Sequence, residues 1–237
     1  MERVSFQAAY AGERVPALVF LPKRGRPPYQ AVVYFPGSGA LTQRSSAQIN
    51  PHLFDWIIKS GRAVIVPIYK STYERGDGLE SDYPNRTVAW RDHVIAWARD
   101  VRRAVDYLES RSDIDRTRLA FMGQSWGSAM APIYIAVEPR FKAAVLVLGG
   151  FYLQHSLPEV DAFNFAPHVR IPILLLNARF DFFYPIDSSQ LPMFDLFRSP
   201  DAQKRRVVYD AGHNIPRPEL IRESLEWLDK YLGQPPE

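Results

Sequence analysis

The sequence predicts an α/β domain built on a mostly parallel, eight-stranded sheet with helices on both faces. Three observations lead there. Apolar runs of strand length alternate with segments of helical spacing along nearly the whole chain. The first two apolar runs are joined by a short turn, which reads as an antiparallel hairpin ahead of the alternating part. The 237 residues are 46% hydrophobic, enough to bury a large core as a single domain spanning 1–237.

Val4 to Ala9 and Val15 to Leu21 form the expected hairpin, turning through Tyr10-Ala11-Gly12-Glu13. A Pro/Gly/basic loop, Pro22 to Pro28, leads into the buried strand Ala31 to Phe35, which ends in Pro36-Gly37-Ser38-Gly39. Leu53, Trp56 and Ile57 give Pro51 to Ser60 helical spacing, with Gly61 as its stop. The strand Ala63 to Ile68 follows, then a long polar loop from Tyr69 to Pro84.

Arg86 to Ser110 reads as a long amphipathic helix whose buried face carries Trp90, Trp97, Tyr107 and Leu108. Leu119 to Met122 is a short buried strand, and Ser128 to Ala136 the helix after it. The remaining strands are Ala143 to Leu148, Ile173 to Leu176 and Arg206 to Tyr209, with helices near Ser188 to Phe197 and from Pro218 to Tyr231. About twenty residues, Phe151 to Ile171, separate the sixth and seventh strands, so the expected lid is minimal.

Composition excludes several chemistries. There are no cysteines, which removes disulfides, thiolate nucleophiles and cysteine metal sites. The net charge is +3, and the arginines are scattered instead of forming a basic stripe, so no nucleic-acid partner is expected. Lys204-Arg205-Arg206 reads as a solvated edge. No apolar run reaches membrane-spanning length, and the N-terminus lacks the apolar core of a signal peptide. No membrane partner is expected. A cytoplasmic location is the expectation, with an excised or mature secreted domain as the alternative.

The chemistry gathers at Gly123-Gln124-Ser125-Trp126-Gly127, a serine between two glycines at a strand-to-helix junction. A turn that tight lifts the hydroxyl clear of its neighbours. A serine hydroxyl needs a base within hydrogen-bond reach and a third group to orient that base. Two later strand ends supply both: Asp181 just beyond the seventh strand and His213 just beyond the eighth. Asp187 and Asp210 are the rival acids. His52, His93, His155 and His168 lack a comparable setting, and no pair of histidines or carboxylates has metal-ligand spacing. Phe151, Tyr152, Phe182 and Phe183 follow strand ends near the site and are candidate substrate contacts, beside the alternative of plain packing.

The order Ser125, Asp181, His213 resembles that of the α/β-hydrolases, and the resemblance covers essentially the whole chain. Asp100 to Leu108, then Asp113-Ile114-Asp115 and the Ser125 turn, are similar to the helix and strand before the nucleophile in the dienelactone-hydrolase and prolyl-oligopeptidase-like esterase branch. Trp126 stands where many peptidase-type relatives have tyrosine, and Ala178 where a glycine often precedes the acid. Dienelactone hydrolases proper carry a cysteine nucleophile, which this chain lacks. Pro36-Gly37-Ser38-Gly39 looks like the family's H-G-x-G segment with proline in the histidine position. The resemblance therefore implies an oxyanion hole made by the backbone N–H groups of Ser38 and Trp126.

The resulting expectation is a cofactor-free serine carboxylesterase acting on a small-molecule, short-acyl ester, with no metal. A peptidase or amidase, or an acetyl or feruloyl carbohydrate esterase, would use the same triad. A non-catalytic ligand receptor on the same fold is the reading from another class.

Overall fold

The computed structural model describes residues 1–236. The eight strands are β1 (Glu2–Gln7), β2 (Arg14–Phe20), β3 (Tyr29–Phe35), β4 (Ala63–Pro67), β5 (Ile114–Gln124), β6 (Phe141–Val147), β7 (Ile173–Ala178) and β8 (Lys204–Tyr209). They lie side by side in the order β1-β2-β4-β3-β5-β6-β7-β8. β1 pairs antiparallel with β2, and β2 antiparallel with β4. Every later pairing is parallel. This is the α/β-hydrolase fold.

The central strands read as continuous apolar runs because both faces of the sheet are covered. Their period of two divides the core. Ala31, Val33 and Phe35 of β3, with Leu119 and Phe121 of β5, face one helical layer, while Val32, Tyr34, Ala120 and Met122 face the other. The first layer is dominated by α3 (Val88–Glu109), which turns Trp90, Val94, Trp97, Val101 and Leu108 inward. The opposite layer holds α2 (Asp55–Lys59) and α8 (Arg217–Leu232), through Trp56, Ile57, Trp227 and Leu228. Buried Arg62 ties α8 to the sheet, donating to Gln30 Oε1 at 2.8 Å, Asp229 Oδ1 at 2.5 Å and the Gly233 carbonyl at 3.0 Å.

Several boundaries differ from the sequence expectation, each for a local reason. β5 begins five residues early, because its first part, Asp115-Arg116-Thr117-Arg118, is polar and carries no hydrophobic signal. α3 starts at Val88, with the Thr87 hydroxyl accepting from the Trp90 N–H at 3.2 Å. The helix after Ser125 is two pieces, α4 (Trp126–Ala129) and α5 (Ala131–Val137), and Pro132, which has no N–H to donate, sits in the first turn of the second. Pro51 to Ser60 is likewise split, into a single 3-10 turn over Pro51–Leu53 and the five residues of α2, and the segment near Ser188 yields α7 (Leu191–Leu196) after a wide turn over Ile186–Gln190. Two further single-turn helices, α1 (Gly39–Thr42) and α6 (Ala162–Phe165), follow β3 and precede β7. Among the described residues, no helix is long and apolar enough to cross a membrane.

One aromatic column links this core to the chain segment bearing Ser125. Trp97 is fully buried and meets Trp90 and Trp126 edge-on, with centroids 5.4 and 4.9 Å away, and its indole N–H donates to the Lys70 carbonyl at 2.8 Å. Trp97→Ala should therefore cost about 3–5 kcal/mol. Urea denaturation of the two proteins side by side checks this, and a loss below about 1 kcal/mol would show that the column bears little weight.

Candidate active site

Ser125 sits at the end of β5 with φ 50° and ψ −110°, a conformation that a residue with a side chain adopts only under constraint. The constraint is visible in its backbone bonds. Its N–H donates to the Val147 carbonyl at 2.8 Å, and its carbonyl accepts from the Ser128 and Ala129 N–H groups at 2.9 and 2.8 Å. The glycines on either side are dictated by close approach. A Cβ on Gly123 would lie 2.4 Å from the Gly127 oxygen, and one on Gly127 would lie 2.5 Å from the Phe35 oxygen. The Gly127 N–H donates to the Pro36 carbonyl at 3.1 Å, which pins the start of α4 to the end of β3.

Asp181 follows β7 and is buried, with its side chain held by the turn it begins. Its Oδ1 accepts from the Phe183 and Tyr184 N–H groups at 3.0 and 3.3 Å. Its Oδ2 lies 2.8 Å from His213 Nδ1, and His213 Nε2 lies 2.9 Å from Ser125 Oγ. A carboxylate only accepts, so the proton on Nδ1 points to Asp181 and Nε2 is left as an acceptor facing the serine hydroxyl. The three sequence-predicted residues meet in one hydrogen-bonded line, drawn from the ends of β5, β7 and β8.

The rival groups lie elsewhere. Asp210 holds exposed Arg179 at 2.5 Å, and Asp187 lies within the wide turn before α7. His93 pairs with Asp77 at 3.0 Å and His155 with Asp161 at 2.9 Å, while His52 lies near Asp55 and His168 is exposed. Among the described residues, no group of three histidine, aspartate or glutamate side chains could hold a metal ion.

A cavity of about 270 Å³ opens over Ser125 and His213. Ser38 lies on its wall, and Trp126, fully buried beneath, contributes the first amide of α4. Of the four candidate aromatics, Tyr152 and Phe183 line this cavity. Phe183 also meets the His213 ring edge-on at 4.8 Å. The other two do not line it. Phe151 turns into the core, 7% exposed and packed on Phe163, and Phe182 is 74% exposed, leaning on the outer side of Phe183. Proximity to a strand end does not reveal which side of the loop a ring will occupy.

The match to known proteins follows the same outline. The model of the dienelactone hydrolase family matches residues 15–217. The chain belongs to that family. It is 25% identical over 248 residues to a putative carboxymethylenebutenolidase of Yersinia pestis, covering 93% of this chain and 85% of that protein. It is 26% identical over 150 residues to Cutinase 2 of Thermobifida cellulosilytica, covering 60% of this chain and 53% of that protein. The chain spans about half the length of the cutinases it matches. A cold-adapted esterase from an Arctic intertidal metagenomic library has the same fold, with a TM-score of 0.73 at 20% identity over 97% of this chain and 93% of that one.

Within this family frame, three cavity residues escape sequence reading: Asp82, Tyr83 and Tyr184. Asp82 and Tyr83 come from the long loop after β4, far from any strand end. Tyr184 follows Asp181 closely, and its ring packs edge-on against Tyr152 at 5.5 Å. Burial pushes the phenols of Tyr152 and Tyr184 well above the ordinary tyrosine range, so both stay protonated.

The Gly127 contact gives a direct test. Gly127→Ala forces a methyl group against the Phe35 oxygen, and it should lower stability by about 1–3 kcal/mol through displacement of α4. A melting temperature unchanged to within about a degree would contradict that steric account.

Proposed function

We propose that the protein is a serine hydrolase that cleaves small carboxylic esters through an acyl-enzyme. The observation that carries this reading is the unbroken line from Asp181 to His213 to Ser125, at 2.8 and 2.9 Å, opening into a cavity. His213 Nε2 takes the Ser125 proton as Oγ attacks the ester carbonyl, and Asp181 stabilises the imidazolium that forms. The same Nε2–H then protonates the departing alcohol. Water, deprotonated by His213, hydrolyses the acyl-serine by the reverse sequence.

The backbone N–H groups of Ser38 and Trp126 take the oxyanion in this reading. Neither amide donates a hydrogen bond to the rest of the chain among the described residues, and the Trp126 N–H stands at the start of α4. Such a donor contributes roughly 3–4 kcal/mol to the transition state. A cavity near 270 Å³ lies below the usual range for drug-sized ligands, about 300–1,000 Å³, which favours short acyl chains.

Hydrolysis of p-nitrophenyl esters from acetate to palmitate tests the proposal. Turnover should peak at short chains, and Ser125→Ala should lower kcat by roughly 10⁴–10⁶-fold. A loss below about tenfold would sink the mechanism. Asp181→Asn keeps the packing but turns the histidine to the wrong tautomer, and kcat should fall by about 10⁴-fold with little change in KM. Steady-state kinetics of the folded variant reads both constants.

A further inference from the structure

The cavity over Ser125 holds one charged side chain outside the triad, and it is acidic. Asp82 lines the wall, and its Oδ2 accepts from the Tyr152 hydroxyl at 2.5 Å. Tyr152 is packed edge-on against Tyr184 at 5.5 Å and Tyr83 at 5.7 Å, which fixes the donor in place. The loop carrying Asp82 is itself tethered. Arg75 binds buried Asp100 on α3 at 2.6 Å, and Asp77 meets His93 on the same helix at 3.0 Å. The carboxylate is held by the Tyr152 hydroxyl, on a loop whose earlier part is fixed to α3.

No lysine or arginine lines the cavity, and no cation among the described residues pairs with Asp82. A site built to receive a carboxylate supplies a guanidinium fork or an ammonium group. Here the sign is the opposite. A carboxylate brought into this cavity would lose water and face Asp82 with no cationic side chain to offset either cost.

We propose that Asp82 is a specificity-determining residue, which confines the site to esters without a negative charge and turns away those carrying a carboxylate near the scissile bond. The inference rests on the ester-hydrolase reading above. Two like charges several ångströms apart at a partly wet protein surface should discriminate by roughly 10- to 100-fold in kcat/KM. Tyr152 acts through Asp82, holding the carboxylate toward the cavity.

The test uses two matched pairs with the full chain, after subtraction of spontaneous hydrolysis. One places the charge on the acyl side, p-nitrophenyl hexanoate against mono-p-nitrophenyl adipate. The other places it on the leaving group, phenyl acetate against 4-acetoxybenzoate. The wild type should favour the neutral ester by at least about tenfold in one pair at low ionic strength, and added salt should narrow the gap. Asp82→Asn, which keeps an acceptor for Tyr152, should bring that ratio toward unity. Ratios near one in both pairs, or a ratio that neither salt nor Asp82→Asn alters, would overturn the proposal while leaving the hydrolase intact. If Asp82→Asn does not fold, the salt dependence of the wild type decides. No turnover of any of the four esters would remove the hydrolase reading and this inference together.

Discussion

The contact between Gly127 and the end of β3 is the constraint on which the site depends. With a backbone oxygen 2.5 Å from where a side chain would begin, the start of α4 can sit there only because residue 127 has none. That approach fixes the direction in which the chain leaves β5, and with it the strained angles of Ser125. Strain of this kind costs about 1–3 kcal/mol and persists only where the surroundings over-determine it. Here the surroundings are the parallel neighbours β3 and β6, which receive the hydrogen bonds of Gly127 and Ser125. The geometry of Ser125 is thus a property of three strands.

The same three-strand support explains how much of the site could be read in advance. Ser125, Asp181 and His213 lie just past strand ends, and a parallel sheet delivers all such ends to one edge. A local pattern of glycine and apolar residues marks the strand ends they follow. The strand cores were legible for a similar reason, since Val32, Val33, Tyr34 and Phe35 are apolar on both faces. The first part of β5 is not, because Asp115 to Arg118 are polar and fall in the register shift between the Tyr29–Ile114 and Ala31–Leu119 pairs. The break between α4 and α5 had a signal in Pro132, but the hydrophobic run across it suggested one helix.

The roof of the cavity was the least legible part. Asp82 meets Tyr152 across 70 residues of sequence, and no local rule connects a polar loop after β4 with an aromatic after β6. Their meeting is a product of tertiary packing, chiefly the anchoring of the loop on α3 through Arg75 and Asp100. Phe151 and Phe182 show the converse error. Both follow strand ends, but one ring found room in the core and the other found none at the site.

The strand at the far edge has a consequence of its own. β8 has an open side, where its unpaired peptide groups offer a template for another chain. Its sequence opens with Lys204-Arg205-Arg206, and Arg205 is exposed, engaging Glu223 of α8 at 2.6 Å. A second copy adding there edge to edge would bring two runs of positive charge together in a narrow, drying interface. The short basic stretch, unremarkable as a binding patch, thus makes edge-to-edge addition at β8 costlier than it would be on an apolar edge.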